Sequence, residues 1–259
     1  MNIKEMVDKN TILKIRTGSK LYGTYIEGSS DIDHFGVCVP NKDYVLGTHC
    51  FELLEERTNP SSSDKRNTKF DSDYTCYSLQ KYFKLLSDNN PNVIETLFVN
   101  KENIVYCNNF GTEILTHKNI FLSKRAYYKF YGYAKAQKRK LITKEPIGLR
   151  KDIVDKYTFD TKFGAHLIRL LLFGIELLDT GNIKFPTDWA KYLMQIRKGE
   201  WPLSHIIDKA AYLEEQLTNA FNHSKLPEIP DLEKINKLQI ELIEGYWSNQ
   251  EFKLIIPLL

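Results

Sequence analysis

A chain of 259 residues, 42% of them hydrophobic, is long enough to bury a full core in one large domain or two smaller ones. A formal net charge of only +3 is too small to imply nucleic-acid binding as a property of the whole molecule, so any such binding must come from local clustering. No run approaches the roughly 18 apolar residues of a membrane span. The polar opening Met1-Asn2-Ile3-Lys4-Glu5 is unlike a secretory leader, and the scattered Cys38, Cys50, Cys76 and Cys107 include no CxxC pair. The expectation is a soluble, cytoplasmic protein with no membrane partner, buried free thiols and no structural zinc.

Residues 12–16 read as a strand that runs into Thr17-Gly18-Ser19, 20–25 as a short helix, and 32–39 as a second strand ending at Pro40. A further strand is expected over 50–57. The polar cluster 59–67, which includes the Pro60 to Ser63 stretch, is expected to be a mobile loop. Strand pattern resumes over 69–76. Ser78 is placed to cap a helix over 79–86, Asn89-Asn90-Pro91 stops it, and 93–98 starts another short helix. From Gly111 onward the periodicity is helical, with segments at 112–116, 124–141, 162–178, 188–198, 205–221 and 231–247. This pattern divides the chain into residues 1–110 and a helical domain of residues 111–259, with the seam between Asn100 and Lys124.

The chemistry-bearing residues lie early. Gly18 and Ser19 form a small-residue turn whose backbone N–H groups can approach phosphate, and Asp31 and Asp33, two apart on a strand, project to one face. Paired carboxylates oppose each other's ionisation, and a hard divalent cation such as magnesium, bound through oxygen, removes the conflict while leaving positions for substrate phosphates. A third carboxylate would complete a two-metal site. Asp71 and Asp73, again two apart on an expected strand, are the candidates; Asp73 is the nearer to the apolar run and Asp71 the fallback.

The string Gly18-Ser19-x-x-Tyr22-Gly23-Thr24, then Ser30-Asp31-Ile32-Asp33 and Gly36-Val37, resembles the DNA polymerase beta superfamily of nucleotidyltransferases, and more narrowly its RNA-repair-associated (RlaP-like) branch. The stretches from Asp73 to Phe83, from Asn90 to Glu95 and from Lys162 to Leu171 extend the likeness to about Trp201. The resemblance implies an α+β, polymerase-beta-like domain with a small mixed sheet plus a C-terminal helical lobe, and an active site in the cleft between them. It further implies that Gly18 and Ser19 hold the triphosphate of a nucleoside triphosphate (NTP), that Asp31 and Asp33 hold two magnesium ions, with manganese as a substitute, and that Asp73 serves the metal nearer the acceptor. The acceptor is left open. RNA is the favoured partner, a protein or small-molecule acceptor is the alternative, and a non-catalytic nucleotide or RNA sensor is the rival from another class.

Two further features carry competing readings. Lys162, His166 and Arg169 recur at i, i+4 and i+7 on an otherwise apolar helix, so the stripe either lines the cleft and binds nucleotide or acceptor, or is solvated or locally paired, and the resemblance favours nucleotide binding. The segment from Tyr127 to Lys140 interleaves aromatics with Lys138, Arg139 and Lys140, which suits single-stranded RNA. Helical spacing of Tyr127, Phe130, Tyr131 and Ala134 fits a core face somewhat better. His34 has the opposite parity to the carboxylates and is read as structural.

Overall fold

The computed structural model describes residues 2–27, 30–58, 72–143 and 150–248. Asp71 and the Pro60 to Ser63 loop lie outside the described residues, as does Ser29.

The chain opens with helix α1 (Ile3–Asn10), which the polar composition had hidden. Asn2 accepts from the Glu5 amide at 2.8 Å while the Glu5 carboxylate accepts from the Asn2 amide at 3.0 Å, a reciprocal cap. Strand β1 (Thr11–Arg16) leads directly into α2 (Gly18–Tyr22), a helix two to three residues earlier than the periodicity suggested, because Gly23 at φ 75° ends it. Strand β2 (Ile32–Cys38) follows, then α3 (Lys42–Val45), β3 (Leu53–Arg57) and β4 (Ser72–Ser78). The Ser78 hydroxyl accepts from the Lys81 amide at 3.2 Å and starts α4 (Leu79–Ser87). Pro91 occupies the first turn of α5 (Pro91–Ile94), which continues as a 3₁₀ turn over Glu95–Phe98.

Strand β5 (Ile104–Cys107) lies inside the region assigned to the seam; four residues are too few to establish a period. The strands form one mixed sheet in the order β3-β4-β2-β1-β5, in which only β2 and β4 run parallel. Helices α6 (Asn109–Thr116), α7 (Arg125–Thr143), α8 (Arg150–Tyr157), α9 (Thr161–Thr180), α10 (Ala190–Arg197), α11 (Leu203–His223) and α12 (Leu232–Ser248) complete the chain. All described strands therefore fall within residues 11–107, and a division at 110/111 falls inside α6. One apolar core runs from Ile12 to Ile243 across both halves. Helix α12 returns to α4, and the Trp247 indole donates to the Pro40 carbonyl at 3.0 Å. The buried-thiol expectation holds for Cys38 and Cys76, but Cys107 is half-buried and Cys50 is exposed, because it sits in the connection before β3 rather than inside the strand expected over 50–57.

Helix α9 is the central pillar, buried on nearly every side except at Lys162 and its C-terminal turn, and it packs against α7, α10 and α11. Gly174 permits the close crossing with α7. A Cβ there would lie 2.9 Å from both Phe130 Cβ and Leu217 Cδ1. Gly132, by contrast, faces open space. Gly174→Ala is therefore expected to destabilise the fold by about 1–2 kcal/mol, overpacking outweighing improved helix propensity. Gly132→Ala should stabilise it by about 0.5–1 kcal/mol. Urea unfolding of both variants checks the opposite signs.

Candidate active site

The parallel pairing of β2 with β4 puts Asp33 directly opposite Asp73, and Asp31 lies one residue before β2 begins, not on the strand itself. One carboxylate oxygen from each of Asp31, Asp33 and Asp73 lies within 4.8 Å of the others, and each residue is half-buried. The candidate triad is thus assembled from two separate stretches of chain by a single strand register. That donor set, all hard oxygen and all anionic, suits a magnesium-type cation.

The cluster is electrostatically tense. Burial, then the charges of Asp31 and Asp73, push the Asp33 carboxyl up to about 6, with the Lys162 ammonium acting the other way. Arg57, opposite Asp73 in the β3–β4 register, brings its Nε within 4.0 Å of the Asp73 carboxylate. The Gly-Ser turn is tied to the same spot. The Thr17 amide donates to the Asp33 carbonyl at 2.9 Å, Gly18 adopts φ 61°, and a Cβ at Gly18 would come within 2.0 Å of Asp33 Oδ2. Only glycine meets both demands. Ser19 lies in the next turn, its carbonyl accepting from the Thr24 amide at 2.9 Å.

From this point a cleft of about 490 Å³ extends along the sheet face past Phe35 and Tyr77 to Asn90, Asn92 and Tyr133. Its wall includes Tyr22 and Glu95, which belong to a buried cluster. Tyr22 donates its hydroxyl proton to Glu95, Arg169 Nη1 donates to the other Glu95 oxygen at 2.9 Å, and the guanidinium lies 3.9 Å above the Tyr22 ring. Burial pushes the Glu95 carboxyl up from its ordinary value, opposed by Arg169 and Tyr22.

The three members of the α9 stripe therefore have different surroundings. Lys162 is exposed and close enough for its charge to act on Asp33. Arg169 is only 8% exposed, with its charge committed to Glu95. His166 is held neutral: burial, Arg169 and Lys140 lower it to about 3, and its Nε2 is buried with no hydrogen-bond partner among the described residues. In the Tyr127 to Lys140 segment, Phe130 and Ala134 are core, Tyr127 stacks on Phe221 at 4.6 Å, and Lys138 pairs with Glu214 at 3.1 Å. These aromatics are engaged in packing, whereas Tyr133 reaches the cleft.

Sequence reasoning did not single out Glu95, Arg57 or Arg197. An acid inside the apolar run from Pro91 to Phe98 was a usable signal for Glu95. Arg197 gave none, since it comes from α10 to donate to the Thr24 carbonyl at 2.7 Å and to feel the charge of Asp31.

Residues 1–241 match the family described as RlaP, the RNA repair pathway DNA polymerase beta family. An uncharacterized 38.9 kDa protein from the nrdC-mobD intergenic region of Enterobacteria phage T4 is 36% identical over 95 residues, 37% of this chain and 27% of that protein, so the match spans about a quarter of that relative's length. A solved nucleotidyltransferase-like protein from Exiguobacterium sibiricum 255-15 aligns with 96% of this chain and 76% of its own, at 10% identity and a TM-score of 0.30.

Two outcomes follow from the electrostatics. Between about pH 4 and pH 6 the folded metal-free protein retains an Asp33 proton that the unfolded chain has released, so stability falls as pH rises through that window and stays lower above it. Asp33→Asn should remove this slope and, allowing for solvent screening, stabilise the chelator-treated protein at pH 7 by about 1–2 kcal/mol, read by urea unfolding across pH. Glu95→Leu leaves the Arg169 charge buried alone and should cost about 3–5 kcal/mol. The double variant Glu95→Leu/Arg169→Met should recover most of that loss in the same measurement.

Proposed function

The chain belongs to the RNA repair pathway DNA polymerase beta family, and on that premise we propose that it is a metal-dependent nucleotidyltransferase that moves a nucleoside monophosphate from an NTP to a hydroxyl of RNA. The observation that carries this reading is the convergence of Asp31, Asp33 and Asp73, with Gly18 pressed against Asp33. Three carboxylates held this close have no use in a protein that merely binds an anionic nucleotide, since they would repel it.

The residues fit a divalent cation. The donor atoms are carboxylate oxygens, and burial together with the charges of Asp31 and Asp73 raises the proton affinity of Asp33, a cost that a cation would relieve. Asp31 and Asp33 would hold both ions and Asp73 the one nearer the acceptor. Magnesium bound there would supply charge neutralisation of the triphosphate and a lowered pKa for the attacking hydroxyl.

The remaining work falls to the protein. The turn at Gly18 and Ser19 holds the β- and γ-phosphates close, the side-chain-free Gly18 leaving room beside Asp33. Lys162 offsets phosphate charge from the α9 side. The acceptor oxygen forms its bond to the α-phosphorus as the bond from that phosphorus to the bridging oxygen breaks; pyrophosphate leaves with the electron pair, and the hydroxyl proton passes to an Asp73 carboxylate oxygen and then to water. Arg169 acts at one remove. By fixing Glu95 and Tyr22 it sets the position of α2, which carries Gly18 and Ser19, and makes a direct phosphate contact from Arg169 the weaker reading.

Incubation with each α-labelled NTP, magnesium, total RNA and cell protein should label RNA alone. Asp31→Ala/Asp33→Ala should lower transfer by at least about 10³-fold, the several kcal/mol expected of the metal site. Label entering protein or a small molecule would replace the acceptor, and nucleotide binding without transfer would replace the enzyme reading with a sensor.

A further inference from the structure

The cleft does not end at the carboxylates. Beyond Asp33 and Asp73 its wall continues along Phe35 and Tyr77 and closes at Asn90, Asn92 and Tyr133. The polar groups at that end have defined partners on one side and none on the other. Asn90 donates Nδ2 to the Tyr133 hydroxyl oxygen at 2.8 Å and accepts the Asn92 backbone amide at 3.1 Å. The Tyr133 proton and the exposed Asn92 side-chain amide are left without a protein partner among the described residues. Tyr77 is braced edge-on against Phe35, with ring centroids 5.3 Å apart, and shares the cleft lining with Tyr133. The result is an aromatic wall, a rigidly held hydroxyl donor and an amide offering both donor and acceptor, continuous with the candidate site of phosphate chemistry.

We propose that this end of the cleft is a nucleobase subsite, in which a base stacks on Tyr77 and its polar edge is read by the Asn92 amide and the Tyr133 hydroxyl. The inference rests on the nucleotidyltransferase reading for its ligand class and deepens it by assigning the residues that choose the base. Flat aromatic faces accept any base, whereas an amide that pairs with one edge pattern discriminates between bases. Asn90 acts as a positioning residue through its bond to Tyr133. The base in question belongs either to the donor NTP or to the terminal nucleotide of the acceptor, and both present the same chemistry to the subsite.

Calorimetric titration separates the two sources. One arm uses the four α,β-methylene NTP analogues with magnesium, and the other uses oligoribonucleotides that differ only in the 3′-terminal base. The wild-type protein should separate its tightest and weakest base by at least about tenfold in one arm. Asn92→Ala should collapse that spread to about twofold in that arm. Tyr77→Leu, which keeps apolar bulk against Phe35, should weaken all bases in that arm by about tenfold or more, while Tyr133→Phe should narrow the spread without weakening every base alike. Melting curves confirm that each variant folds. Selectivity in the NTP arm assigns the subsite to the donor, and selectivity in the oligonucleotide arm assigns it to the acceptor. Retained label transfer with a base preference that neither Asn92→Ala nor Tyr133→Phe moves would overturn the subsite and leave the transferase reading standing. So would wild-type binding indifferent to the base in both arms. Base-selective binding lost in Asn92→Ala, without any transfer, would support the subsite and overturn the transferase reading instead.

Discussion

The parallel register between β2 and β4 is the constraint on which the site depends. Residue 33 opposes residue 73 because Ile32 opposes Ser72 and Cys38 opposes Ser78 without interruption. A slip of one residue would turn every β4 side chain to the other face and carry Asp73 away from Asp33. That register is secured from both sides. The buried side chains of Phe35 and Val37 face the main core, while Cys38 and Cys76 face the smaller cluster under α1 with Met6, Val7 and Phe51. The apolar burial along the strands therefore sustains the charge concentration at their entrance.

The second organising interaction is the buried cluster of Tyr22, Glu95 and Arg169. It brings together α2, the 3₁₀ turn after α5, and α9, three elements that carry the Gly-Ser turn, the cleft wall and the helical pillar. A buried ion pair is weak support for stability, because desolvation offsets most of its attraction. It is strict about geometry, however: removing one partner strands a charge in the interior, so the α2 end of the cleft and the helical half must stay in one relative arrangement. Arg197, reaching from α10 to the Thr24 carbonyl, fastens the same loop from another direction.

Opposed fields meet at the carboxylate end of the cleft. Burial and then the neighbouring carboxylates raise the proton affinity of Asp33, while Lys162 and Arg57 approach from different elements and keep the cluster from being wholly uncompensated. Such a cluster is costly to a metal-free fold, and its three carboxylates could hold a metal ion. The far end of the cleft is lined by aromatic and amide side chains, with Lys81 beside Tyr77 in place of a carboxylate cluster.

The order of the first strands, the Ser78 cap, the helical second half and the candidacy of Asp31 and Asp33 with Asp71 or Asp73 were legible in the sequence by itself, because each rests on local periodicity, capping chemistry or short spacing. The small-residue turn at Gly18 and Ser19 was also visible, whereas the need for glycine at position 18, set by the Asp33 carboxylate pressed against it, was not. Helix α1 and strand β5 escaped notice because one is mostly polar and the other only four residues long. What only the tertiary structure decided was which distant residues meet. Arg169 has the same helical spacing whether it faces phosphate or Glu95, and Arg197 has no pattern linking it to Thr24 or Asp31. Periodicity fixes the face of an element a side chain occupies; the partner across that face is set by packing among elements far apart in the chain, and no local spacing encodes it.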